Sequence, residues 1–203
     1  MLTATPQRMT DNAEQGRAPV LVLGIGNILL RDEGIGPRVA QLLQAAALPA
    51  GVEVCDGGTA GFNLIDVLAG RRKVIVIDAL DAGHAPGSIV RLTPQDLTRQ
   101  HRPNLSLHDL GLLEALDMAQ QLGEAPQEVV IFGIQPQDLS CGLDLSPTIR
   151  ACVPELVNLV LAELKGENGR QDGGQAPPQS VVFSEVQEEV KSGEEAQERA
   201  GVA

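Results

Sequence analysis

The sequence predicts an α/β layered fold. Short apolar runs rich in β-branched residues recur along the chain, helical patterns separate them, and the first run opens into a glycine-containing turn, GIGNILLRDEGIG. Pro19 to Leu23, Val52 to Cys55, Lys73 to Ile77 and Glu128 to Phe132 are continuously apolar, which suits strands buried on both faces of a parallel sheet. Helical patterns run over Ile35 to Ala46, Phe62 to Ala69, Leu107 to Gln121 and Pro147 to Leu164. Two helix starts carry capping chemistry. Ser106 followed by Asp109 is a short-acid variant of the capping box, and Ser146-Pro147 sets a hydroxyl before a proline at the first helical position. The segment Gly87 to Leu92, GSIVRL, reads as a further strand, and its short link to the preceding one suits an antiparallel edge; an extended loop is the alternative.

Residues 1–18 are polar and aperiodic and read as a mobile arm, 19–165 as one globular domain, and 166–203 as an acidic, disordered tail. Within that tail, Ser180 to Val182 carries a weak β signal. A net charge of −12 argues against nucleic acid or an anionic membrane surface as partner. With no Trp or Tyr and three Phe, stacking platforms for bases are absent and the core must be aliphatic. Cys55, Cys141 and Cys152 form no metal-ligand spacing, and an odd count suits reduced, structural thiols in a cytoplasmic protein. The amino-terminal residues lack an apolar signal core, and no run approaches the roughly 18 apolar residues of a membrane span.

The glycine turn invites a nucleotide reading, which fails. A dinucleotide fingerprint needs a third glycine where Leu29 stands, the GK[ST] ending of a phosphate loop is missing, and Asp32 and Glu33 would repel a pyrophosphate. Carboxylates suit a cation or acid–base work instead. Glu33 follows the first strand, Asp78 ends the third, and His108 lies in the first turn of a helix. In an open parallel sheet, strand carboxyl ends and helix amino termini share one edge, so these three can meet there. A mixed oxygen and nitrogen set suits a divalent metal such as nickel or zinc. Each residue also has a plainer reading. Asp32 is better explained as a carboxylate favouring the start of the next helix, Asp78 can be a turn residue, and His84 and His101 lie in loops. Asp56, in CDGGTAG, either closes a turn with Gly57 and Gly58 or lines the same edge.

Taken in order, GIGNILLRDEGIG at 24–36, DGGTAG at 56–61, VIVIDAL at 74–80, APGSI at 85–89, LSLHDLGL at 105–112, IFGIQP at 131–136 and LSPTI at 145–149 resemble the hydrogenase maturation proteases. These are endopeptidases that process the large subunit of nickel-iron hydrogenases. The resemblance spans about residues 19–164. It implies a three-layer α/β/α fold around a twisted, mostly parallel five-stranded sheet with helices on both faces. It also implies that Glu33, Asp78 and His108 contact a metal: nickel carried by the precursor large subunit, for which another divalent ion such as cadmium or zinc can substitute. The expected reaction removes a short C-terminal extension after nickel insertion, in the cytoplasm, on a precursor accompanied by its maturation chaperones. Asp56 is the candidate assisting carboxylate. The chain has no HExxH or GxSxG motif, so neither a conventional zinc peptidase nor a serine hydrolase is indicated. A non-catalytic nickel-sensing chaperone is the alternative, and a nucleotide-binding oxidoreductase would require NAD binding.

Overall fold

The computed structural model describes residues 17–59, 64–99, 107–168 and 181–182. The arm up to residue 16, Ser106 of the proposed capping box, His101, and the tail at 169–180 and 183–203 lie outside the described residues. Strands β1 (Val20–Ile25), β2 (Val52–Gly58), β3 (Lys73–Ala79), β4 (Ile89–Leu92) and β5 (Glu128–Ile134) are interleaved with helices α1 (Ile35–Gln44), α2 (Leu64–Leu68), α3 (Pro94–Arg99), α4 (Leu107–Leu122) and α5 (Pro147–Asn168). A two-residue strand, β6 (Val181–Val182), completes the order β2-β1-β3-β5-β4-β6. The four strands read as continuous apolar runs are parallel to one another, whereas β4 runs antiparallel to β5 and β6 antiparallel to β4.

Side-chain alternation along β1 decides which helices cover which face. Val20 and Val22 point into a core shared with Ile35, Val39 and Leu43 of α1 and Ile149, Leu156, Val160 and Leu164 of α5. Leu21, Leu23 and Ile25 point the other way, towards Leu64 and Leu68 of α2, Leu97 of α3, and Leu112 and Ala115 of α4. The three-layer arrangement with helices on both faces is therefore as expected. Nearly every residue of β1 and β3 is buried, which is why these strands read as unbroken apolar runs.

Several details differ from the expectation. The strand at 89–92 is antiparallel, but it lies beside β5 rather than β3, because β1 and β5 already flank β3. The last helix continues three residues past Lys165, and β6 brings a piece of the acidic tail onto the sheet. Helix α3 was not foreseen. Its start is a capping box built by Thr93 and Asp96: the Asp96 carboxylate accepts from the Thr93 amide at 2.8 Å and from its hydroxyl at 2.7 Å, with Pro94 at the first helical position. The Ser146 cap is present, with its hydroxyl accepting from the Ile149 amide at 3.4 Å.

Candidate active site at the carboxyl edge of the sheet

The turn after β1 is shaped by close backbone packing. A Cβ on Gly36 would collide with the carbonyl oxygens of Ile25 and Ile77, and one on Gly24 with the carbonyl of Gly36. The glycines thus seat the start of α1 directly on the ends of β1 and β3. Asn27 starts the loop, its side-chain oxygen accepting from the Leu29 amide at 3.0 Å and its carbonyl from the Leu30 amide at 3.1 Å. Arg31 then adopts a left-handed backbone, φ 45°, which no other described non-glycine residue does. A single 3₁₀ turn, Arg31–Gly34, follows and carries both carboxylates.

Asp32 does not cap a helix. Neither the 3₁₀ turn nor α1 has a side-chain cap hydrogen bond. Its fully buried carboxylate instead accepts three backbone N–H groups from a distant loop: Gln137 at 3.0 Å, Asp138 at 2.8 Å and Ser146 at 2.7 Å. Local spacing suggested a favourable charge at a helix start. The burial of a carboxylate makes hydrogen-bond donors obligatory, and the loop after β5 supplies them. The loops are joined again by main-chain bonds, from Arg31 N–H to the Gly142 carbonyl and from Gly142 N–H to the Leu29 carbonyl, both 2.9 Å.

Glu33 lies in the turn so fixed, half-buried, with its Oε2 out of contact with solvent. The turn packs on β3, which ends in Asp78, 3% exposed, whose Oδ1 accepts from the Ala79 amide at 2.8 Å. Glu33 and Asp78 are therefore brought to the same edge of the sheet. His108 belongs to the first turn of α4. The far end of that helix is tied to the amino edge, where Gly70 N–H reaches the Glu124 carbonyl at 2.8 Å just before β3 begins. Sixteen helical residues span about 24 Å, about the length of a seven-residue strand, so the helix start lies at the carboxyl edge. Among the described side chains no three His, Cys, Asp or Glu are grouped closely enough to hold a metal; the side chain of His108 is outside that set.

Asp56 lies near the carboxyl end of β2 in register with Gly24, next to a bulge at Gly57, and is exposed. Its Oδ1 accepts from the Gly58 amide at 3.0 Å and its Oδ2 from the Gln41 side chain at 3.3 Å. The turn-closing interaction is thus present, on the same edge as Glu33. His84 is exposed in the loop after β3. That loop is organised by a residue the sequence reading did not single out. Gln135, in IFGIQP, is buried, and its side-chain oxygen accepts from the amides of Ala82 at 2.8 Å and His84 at 3.2 Å, while its Nε2 donates to Asp81 at 3.1 Å. An amide side chain directly following a buried strand was the available signal.

Cys55 and Cys152 are not placed as nucleophiles. Burial, followed by the carboxylates of Glu53 and Asp56, pushes the Cys55 thiol above its ordinary range, and burial followed by Glu155 does the same to Cys152. Cys152 also packs its sulfur on the carbonyls of Thr148 and Gly87. What the edge offers chemically is separate carboxylate groups, each of a type that can ligate a cation or act in acid–base chemistry.

Known proteins share this architecture. Residues 37–163 match the family model described as hydrogenase maturation protease (HycI). The hydrogenase 2 maturation protease of Escherichia coli K12 is 36% identical over 165 residues, covering 80% of this chain and 98% of that protein. The hydrogenase expression/formation protein HupD of Rhodobacter capsulatus is 37% identical over 146 residues, 71% of this chain and 68% of that one. The solved structure of the hydrogenase maturating endopeptidase HybD from E. coli superposes with a TM-score of 0.69 at 33% identity, over 80% of this chain and 96% of that chain. The protein with Glu33, Asp78 and Asp56 along one sheet edge belongs to the hydrogenase maturation protease family and is a hydrogenase maturation endopeptidase.

Proposed function

We propose that this endopeptidase removes the C-terminal extension of a nickel-iron hydrogenase large-subunit precursor after nickel insertion, and that it detects the inserted nickel through Glu33, Asp78 and His108. The observation that carries the proposal is the convergence of a turn, a strand end and a helix start on one sheet edge. Two carboxylates and an imidazole suit a divalent transition metal while leaving positions for ligands from the precursor. In this reading the nickel belongs to the substrate, and its docking sets the scissile peptide beside the edge. Water adds to the peptide carbonyl, the C–N bond breaks, and the departing amine takes a proton. Asp56 is proposed as an assisting carboxylate that accepts the proton of the attacking water. The precursor is met in the cytoplasm, with its maturation chaperones. No described helix is long and apolar enough to cross a membrane.

The test is intact-mass analysis of nickel-loaded and nickel-free precursor incubated with the wild type and with Glu33→Ala, Asp78→Ala, His108→Ala and Asp56→Ala. The expected result is loss of a C-terminal peptide from the nickel-loaded form alone, abolished in the first three variants. Equal cutting of nickel-free precursor by all of them would overturn metal reading. Binding without any mass loss would point to a nickel-sensing chaperone. Full activity of Asp56→Ala would remove Asp56 from the chemistry.

A further inference from the structure

We infer that the paired loops beside Glu33 form a docking ledge for an apolar segment of the polypeptide substrate, an inference that rests on the precursor-processing reading above. Four large apolar side chains project from these loops into solvent: Ile28 at 45%, Leu29 at 59%, Leu139 at 49% and Leu143 at 62% exposure. Exposed leucines are common singly. These four sit on two segments, 28–29 and 139–143, that are distant in sequence and fastened together by the Asp32 carboxylate and the Leu29–Gly142–Arg31 main-chain bonds. The fastening includes a left-handed Arg31, a strained conformation of the kind that persists where the surrounding structure holds it for use.

The occupant follows from position and charge. Leu29 lies four residues before Glu33, in the loop that leads into its turn, so a polypeptide whose peptide bond lies at Glu33 runs beside the ledge. Most charged groups around it are engaged within the protein, the exception being Asp144, exposed and 3.8 Å from the exposed Arg150. Arg31 pairs with Asp138 at 3.3 Å, and Arg38 donates to the Leu143 carbonyl. The Ser140 side chain and amide, with Arg31, hold the Asp138 carboxyl below its usual range. An acidic or basic segment thus finds few open partners, and an apolar one finds four leucine-type side chains. Four half-exposed side chains fall well short of the roughly 800 Å² per partner that a stable pair of proteins buries, which favours a substrate segment over a second copy of this chain.

The test compares the wild type with the double variant Leu29→Ser/Leu143→Ser on nickel-loaded large-subunit precursor purified from cells lacking this protease. We expect KM to rise about tenfold with kcat within about twofold, an unchanged thermal midpoint, and no effect of Leu42→Ser, which removes an equally exposed leucine from α1. An unchanged KM in the double variant overturns the ledge while leaving the processing activity standing. If the wild type fails to shorten the precursor, the processing reading falls, and direct binding of that precursor decides the ledge: tighter binding to the wild type than to the double variant supports it, and equal binding overturns it. A wild-type dimer that the double variant dissolves would assign the surface to a second copy instead.

Discussion

Around the amino ends of β3 and β5, buried cations meet carboxylates. Lys73 donates to Glu163 of α5 at 2.6 Å and pairs with Glu128 at 3.2 Å, Arg91 of β4 reaches Glu163 at 3.0 Å, and Arg71 pairs with Glu53 at 2.7 Å. At the carboxyl ends, the buried polar groups take backbone amides instead: Asp32 those of the loop after β5, Gln135 those of the loop after β3. The first pattern neutralises charge within the protein. The second spends polarity on fixing loops, and Glu33 and Asp78 sit on what those loops hold. One end of the sheet is a stability device and the other a positioning device.

Substitutions can break this contrast at either end. The largest loss of stability is expected for Glu163→Leu, which leaves the buried Lys73 and Arg91 cations without their shared carboxylate, at a cost of about 3–5 kcal/mol; denaturant unfolding measures it, and activity per folded molecule should be unchanged. Asp32→Asn should cost less, about 2–3 kcal/mol, because its amide presents hydrogens to backbone donors. Unlike the first variant it should also lower activity, since the loops flanking Glu33 loosen. Smaller still is the change expected from Glu33→Gln, within about 1 kcal/mol of wild-type stability for a half-buried, near-isosteric swap, yet with precursor cleavage lost. Full activity per folded molecule in Asp32→Asn would dissolve the contrast between the two ends of the sheet.

Acid sharpens the same contrast. Burial raises the Glu163 carboxyl, but hydrogen bonds and charge from Arg91 and Lys73 outweigh it and hold the group below the ordinary glutamate range. A carboxylate depressed in the folded state contributes stability that is complete above its unfolded value, about 4.3, and lost as the pH falls through the folded one. Wild-type stability should therefore decline more steeply than that of Glu163→Leu below about pH 4, as read from urea midpoints. The mildest probe is alkylation. Iodoacetamide near neutral pH should label exposed Cys141 well before Cys55 and Cys152, whose thiols are raised by burial, and peptide mass mapping gives the order.

Much of this was legible in the chain because it is written locally. Continuous runs such as VLVLGI and KVIVIDA announce strands covered on both sides, and Ser146-Pro147 announces α5. Thr93-Pro94-Gln95-Asp96 is the same kind of signal, and its helix was missed although the capping residues stood in plain view. The position of β4 was not readable, since strand order is set by which edges remain open and not by the residues of the strand itself. The role of Asp32 was equally hidden: its donors lie more than a hundred residues away, and nothing in DEG distinguishes a carboxylate aimed at a helix start from one aimed at a distant loop. That Glu33 and Asp78 share one edge was legible because that edge is a property of the fold class.

The two residues of β6 have a consequence beyond the sheet count. Val181 and Val182 lie against Arg91 and Val90, covering part of the outer rim of β4. A rim of unoccupied N–H and C=O groups is a template for any extended chain, another molecule's β4 included. The E. coli relative is matched almost whole by 165 residues, so this chain carries additional length with which to shield that rim. Versions shortened after α5 should be watched for concentration-dependent association and precipitation, for which the uncovered rim would be the cause.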